Sequence, residues 1–318
     1  MQGAFHLLSP TLSYMPTKKK NSAPKQDPLK GHRDTCPTPK GMLLAVGGHE
    51  NKGETPERGS NQDKNRNFAP EAILRRFCEE LKGNDPLVLV LPIASTEPKE
   101  AAEDYLEVFP RLGIKRVQVL DVREREDASS EATLDLINEA TGFYFTGGDQ
   151  LRLTGLLGGT KMLIRLKERY TYDEILIGGT SAGASALSTP MIYQGLNDAG
   201  FRKGEISITT GLQFMHDVAI DTHFIARGRI ARMAQIIATN PSCLGLGLEE
   251  DTAILVRNGY DVEVIGSGLV TILEADECTR NNIYEINPDT PFTIRDLRLH
   301  FLSAGENYQL PIPPELHL

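Results

Sequence analysis

Ser181 stands among small residues in Gly179-Thr180-Ser181-Ala182-Gly183, directly after the apolar run Ile175-Leu176-Ile177 and before Ala184-Ser185-Ala186-Leu187. A strand, a tight glycine turn and a helix start, in that order, make the layout of a nucleophile elbow. The glycines have a mechanical reason. A serine whose hydroxyl projects from a strained turn leaves no room for side chains on its flanks. The amide of Ala182 is aimed where an oxyanion forms, and the start of a helix favours negative charge there. The chemistry this predicts is acyl transfer through a serine nucleophile. A second glycine turn, Thr146-Gly147-Gly148-Asp149-Gln150, closes the run Phe143–Phe145 and offers another oxyanion donor from Gly148 or Asp149.

A serine hydroxyl needs a base, and the base an orienting carboxylate. Of the seven histidines, His6 and His32 fall in a polar N-terminal stretch and His317 beside the C-terminus. His49 follows the first strand, His216 falls in a turn and His300 in an alternating polar segment. His223 lies where a short strand ending at Asp221 meets a helix carrying Ile230, Met233, Ile236 and Ile237, a junction suited to facing a cleft. For the carboxylate, Gly245-Leu246-Gly247-Leu248-Glu249-Glu250-Asp251 ends a buried strand in three acids. Alternation through Leu246 and Leu248 places Glu250 with the inward set and Glu249 on the opposite face. The order Ser181, His223, Glu250 departs from the Ser–acid–His order of α/β-hydrolases. Only His300 or His317 would restore that order, and neither has a supporting motif.

The elements that must hold these residues alternate. Helical spacing over 69–81, 101–112, 132–139 and 151–170 is interleaved with apolar runs at 42–46, 87–91, 117–120, 143–145 and 174–177. Strands apolar throughout predict a mostly parallel α/β sheet covered by helices on both faces. Beyond Ser181 the pattern turns β-like at 244–248, 252–256, 261–265 and 269–273, which predicts an antiparallel extension at one sheet edge. Residues 1 to about 40, rich in Pro, Lys, Ser and Thr, read as a disordered tail before a single domain over 41–318. A formal charge of −9 and a pI near 5.4 exclude a nucleic-acid binder. No run is long enough to span a membrane. Four scattered cysteines show no metal spacing and read as free thiols in the cytoplasm, and no metal or organic cofactor is expected.

Four segments together resemble the cyanophycinases, a serine-peptidase family that also contains aspartyl dipeptidases. They are Phe145-Thr-Gly-Gly-Asp-Gln150, Gly178-Gly-Thr-Ser-Ala-Gly-Ala184, Asp221-x-His-Phe-x-x-Arg-x-Arg-x-x-Arg232 and Gly245-x-Gly-x-x-Glu-x-Thr-Ala253, within a similarity over roughly residues 41–305. The resemblance implies a flavodoxin-like, class I glutamine amidotransferase-like sheet, usually in a homodimer. It also implies Ser181, His223 and Glu250 as the catalytic residues. The implied substrate is cyanophycin, a polyaspartate bearing arginine on its β-carboxyls, cut from the chain end into β-Asp-Arg dipeptides. Substrate-binding positions map to Gln150, Asp221, Arg227, Arg229 and Arg232; Thr222 stands where the family commonly carries glutamine. Read as residues, the three arginines suit bidentate clamping of carboxylates, while Asp149 and Asp221 suit a guanidinium. Two other readings remain at this point: a dipeptidase acting on short aspartyl or isoaspartyl peptides, and a non-catalytic ligand-binding relative.

Overall fold

The structure, a computed structural model, describes residues 37–311 except 67 and 196–200. Most of the expected N-terminal tail, with His6, His32 and Cys36, and also His317, therefore lies outside the described residues. Five parallel strands form the larger part of the eight-stranded main sheet: β1 (Met42–Val46), β2 (Leu87–Leu91), β3 (Arg116–Val119), β4 (Gly142–Phe145) and β5 (Leu176–Thr180). They lie side by side as β1-β5-β4-β2-β3. Numbered from β2, the run β3-β2-β4-β5 has the flavodoxin order 2-1-3-4, and the N-terminal β1 takes the fifth place. Four of the five strands are buried along their whole length, and only edge strand β3 is not.

Both faces are covered because side chains alternate across each strand. Leu43 and Ala45 point into a core shared with Ile137, Leu153, Leu157 and Leu166 of the helices Glu131–Glu139, Gln150–Leu157 and Lys161–Tyr172. Met42, Leu44 and Val46 point the other way, into a core with Ile73, Leu74 and Phe77 of Ala72–Glu80 and Tyr105, Val108 and Phe109 of Pro98–Arg111. Ser130, Asp149 and Thr160 cap three of these helices by accepting backbone N–H bonds. The helical run expected over 151–170 breaks at Gly158-Gly159, where Gly159 takes φ +73°.

The antiparallel extension needs correcting. Thr252–Arg257, Asp261–Gly266 and Asn307–Gln309 do continue the main sheet outward from β1. Leu244–Leu248 and Val270–Glu274 instead join Val218–Asp221, Arg298–Leu302, Ser188–Thr189 and Met215–His216 in a second sheet. One face of that sheet contributes to the core beside Leu43; the other carries the helix Ile230–Thr239. Gly245 and Gly247 permit this layer: a β-carbon on Gly245 would fall 2.7 Å from Met233 Sδ, and one on Gly247 2.4 Å from the Phe224 ring. Periodicity marks a strand but does not assign its sheet.

Candidate active site

Ser181 directly follows β5 with φ +50° and ψ −110°, a conformation costly for a residue with a β-carbon. The surroundings hold it there. Its N–H donates to Val46 O at 3.0 Å, and its carbonyl accepts from Ser185 N–H at 2.9 Å. A β-carbon on Gly179 would lie 2.6 Å from Gly183 C, and one on Gly183 2.5 Å from Phe145 O, so both glycines are needed for the close approach. The helix that follows, Ala182–Ala186, has only five residues. Its dipole is therefore small, and the Ala182 N–H itself is the donor available beside the serine.

Ser181 Oγ lies 3.0 Å from His223 Nε2, and His223 Nδ1 lies 2.7 Å from Glu250 Oε1. A neutral imidazole with its proton on Nδ1 donates to Glu250 and accepts from Ser181. His223 is buried, and that burial lowers its pKa below the usual 6.5, with the Glu250 bond pulling the other way and the Arg227 charge adding to the lowering. Glu250 is not fully enclosed: its side chain is 33% exposed. His49 stands outside this succession, exposed, with Nε2 3.7 Å from Glu250 Oε1 and its ring edge-on to His223.

One run of chain, Val46–Asn51, ties the three segments together. Val46 O takes the Ser181 amide, Gly47 O takes the His223 amide at 2.9 Å, and Gly48 O takes the Asp251 amide at 2.8 Å. Asn51 N–H donates to the Asp251 carboxylate at 2.9 Å. Glu50 turns inward and is 2% exposed. Its carboxylate accepts from Thr180 Oγ1 at 2.6 Å, Tyr144 Oη at 3.0 Å and Tyr105 Oη. A buried carboxylate bonded to the residue before the serine carried no signal in the sequence, because its partners come from three distant elements. Glu249 is buried as well, and accepts from the amides of Ile225, Ala226 and Glu250. It thus braces the turn after His223, whereas alternation placed it on the opposite face; the strand ends at Leu248 and the alternation ends with it.

The expected substrate residues separate into two groups. Asp221, 1% exposed, accepts from Arg229 Nη1 at 3.0 Å and Arg232 Nε at 2.5 Å, and Arg232 Nη2 adds a further bond. Thr222, also buried, gives its amide to Asp221 and its carbonyl to Arg229. Arg229 Nε is buried without a partner among the described residues. The helix begins at Ile230 rather than just after His223, so Arg227 and Arg229 sit in the turn before it, and Arg227 is exposed. Gln150 donates to Ile192 O at 3.0 Å. Asp149 caps the helix Gln150–Leu157 through Oδ1, and its N–H donates to Ala94 O at 2.9 Å. That bond takes the Asp149 amide away from any oxyanion, so of the two donors expected from this turn only the Gly148 amide remains a candidate. Gly147 packs against Ser181, with a β-carbon position 3.6 Å from Ser181 Cβ.

Residues 58–264 match the family model for peptidase family S51. The chain is 35% identical over 271 residues to a cyanophycinase of Synechococcus elongatus, spanning 85% of this chain and 80% of that one. It is 31% identical over 303 residues to a cyanophycinase of Trichormus variabilis, spanning 94% and 96%. Among solved structures, a peptidase from an acI-B1 Actinobacterium superposes with a TM-score of 0.59 at 23% identity, covering 85% of this chain and 97% of the other.

Proposed function

This chain belongs to peptidase family S51, and on that footing we propose that it is a serine exopeptidase that degrades cyanophycin to β-Asp-Arg dipeptides. Relatives named cyanophycinases, at 31–35% identity over most of the chain, favour the polymer over short aspartyl peptides. The observation that carries the mechanism is the succession Ser181–His223–Glu250 at 3.0 and 2.7 Å behind a strained serine.

Ser181 Oγ attacks the scissile carbonyl while His223 Nε2 takes its proton; Glu250 holds the ring and stabilises the imidazolium. The lowered pKa of His223 keeps it neutral and ready to accept at pH 7. The N–H groups of Ala182 and Gly148 hold the oxyanion. His223 returns the proton to the leaving amine, an acyl-enzyme remains, and a water activated by the same histidine releases it. The cluster at Asp221 sets two arginines, Arg229 and Arg232, against one carboxylate, a surplus of one positive charge. With exposed Arg227 nearby, this side of the cleft suits the carboxylates of the polyaspartate backbone, and the guanidinium is left to Asp149, whose recorded bonds use Oδ1 alone.

We further propose that the chain is a homodimer working in the cytoplasm. Among the described residues no helix is long and apolar enough to cross a membrane. The outer strand Arg298–Leu302 of the second sheet leaves Leu299 and Phe301 exposed. Sedimentation at micromolar concentration tests the dimer. The activity test is incubation with purified cyanophycin and mass spectrometry of the products. β-Asp-Arg is expected from the wild type and, from Ser181→Ala, a loss of about 10⁴-fold or more with the fold intact. Undiminished release by that variant would overturn the mechanism.

A further inference from the structure

His49 is exposed, unused by the mechanism above, and held at an unusual place. It takes φ +48° at the end of a glycine pair whose second member lies flat on the base: a β-carbon on Gly48 would fall 2.4 Å from His223 Cε1. Its Nε2 comes within 3.7 Å of the same Glu250 oxygen that His223 Nδ1 reaches at 2.7 Å. One ligand atom from each of His49, His223 and Glu250 lies within 4.8 Å of the others. The main chains that carry them are already fixed to one another, through His223 N–H to Gly47 O and Asp251 N–H to Gly48 O. Only side-chain rotations separate this arrangement from a three-ligand metal site, and two of the three side chains are free to make them, at 69% and 33% exposed.

We propose that His49, His223 and Glu250 form a zinc site that switches the peptidase off. Two imidazoles and one carboxylate suit Zn²⁺, with water as fourth ligand, and suit Mg²⁺ or Ca²⁺ poorly. The inference rests on the role given to His223 as base, and the inhibition follows from its tautomer. In the free site the Nδ1 proton points at Glu250 and the Nε2 lone pair faces Ser181. Zn²⁺ binds through the Nδ1 lone pair, so the proton on Nδ1 leaves to solvent and a solvent proton is taken up at Nε2; no net charge is lost from the ring. Glu250 exchanges its N–H···O bond for a Zn–O bond; the Glu250 and His223 ligand atoms part from 2.7 Å and those of Glu250 and His49 close from 3.7 Å, to the spacing of about 3.3 Å that tetrahedral coordination requires. Nε2 now carries a hydrogen toward Ser181 and has no lone pair to accept the serine proton. The ion removes the base without blocking the cleft. Removal of zinc restores the original tautomer, so the switch is reversible.

The test has two arms on the full chain, stripped of metal with a chelator. In the first, Zn²⁺ is titrated in competition with a chromophoric chelator into the Ser181→Ala protein, with and without His49→Ala. The His49→Ala change should weaken the tightest site by about tenfold or more. In the second, cyanophycin hydrolysis is followed with EDTA, with Zn²⁺ and with Mg²⁺. Zn²⁺ should inhibit, EDTA should reverse it and Mg²⁺ should have no effect. His49→Ala should match the wild-type rate in EDTA and need about tenfold or more Zn²⁺ for half-inhibition. Equal zinc affinity with and without His49, or equal inhibition of the two enzymes, would overturn the proposal. A wild type inactive on cyanophycin in EDTA would overturn the substrate assignment instead, and the binding arm would still decide the zinc site.

Discussion

Asp221 and His223 are two residues apart in one tight segment, yet their polar surroundings are built in opposite ways. Asp221 is enclosed, and its partners Arg229, Arg232 and the Thr222 amide all belong to the same stretch of chain. His223 is bonded across the fold to Ser181 on one side and to a partly open Glu250 on the other. In the first cluster the carboxylate is spent on shaping the turn from 221 to 232. The second keeps the Nε2 lone pair of His223 set against the serine hydroxyl that reacts. A charge with every partner supplied internally stabilises geometry, and one with an open side does chemistry. The comparison predicts that damage to the two clusters appears in different measurements.

Glu250→Gln should produce the largest effect. The amide no longer fixes the Nδ1–H tautomer, and kcat should fall by roughly 10³- to 10⁴-fold while the melting temperature barely moves. A loss of tenfold or less would mean that Glu250 does not orient the base. Asp221→Ala should do the reverse. It leaves the buried Arg232 and the partly buried Arg229 without their carboxylate, a cost of about 3–5 kcal/mol, read as a much lower denaturant midpoint; activity of the fraction still folded should fall less than in Glu250→Gln. An unchanged midpoint would show that the arginines are paid for by solvent and that the enclosure is looser than described. Glu50→Gln tests the boundary between the two kinds of cluster. An amide nitrogen set against three hydroxyl donors leaves one or more of them unsatisfied, costing about 1–3 kcal/mol, and because Thr180 precedes the serine a drop in kcat with unchanged KM should accompany it.

The smallest effect is the shape of the pH profile. His223 must be neutral to act, and burial lowers its pKa. In buffer containing chelator, kcat/KM should therefore fall toward acid with its half-point below 6.5, leaving more than half the activity at pH 6.5. By linkage the same group contributes stability above its unfolded pKa and loses it as pH falls through the lower folded value. A half-point above 6.5 would assign the titration to another group.

The parallel half of the fold was legible because each strand is an apolar run and each helix a 3.6-residue period; the elbow was legible because strand, glycines and serine are contiguous. The separation of the second sheet was not, since Leu244–Leu248 and Thr252–Arg257 both read as buried strands, and only the contacts of Gly245 with Met233 and of Gly247 with Phe224 set the first apart. At the candidate site, Ser181, His223 and Glu250 were nameable from local motifs, and the structure brings their side chains into one hydrogen-bonded succession. The internal pairing of Asp221 with Arg229 and Arg232 is not legible, because the helix starts at Ile230 and not directly after His223, which leaves Arg229 in a turn that folds back on Asp221. Glu50 left no trace at all: an acid at the start of a polar loop reads as solvated, and its burial depends on Tyr105, Tyr144 and Thr180 arriving from elsewhere.

The hub at Val46–Asn51 has a consequence for when in synthesis the site can come together. β1 leaves the ribosome before the other strands, but the Glu50 partner Thr180 follows 130 residues later and the Asn51 partner Asp251 200 residues later. Until the last arrives, the Gly48 carbonyl that holds the glutamate segment has no partner and the three segments cannot be gathered. A nascent or truncated chain that stops short of Asp251 is thus a peptidase without a site, and hydrolytic power appears in a single late step as the last of the three segments closes on the first strand.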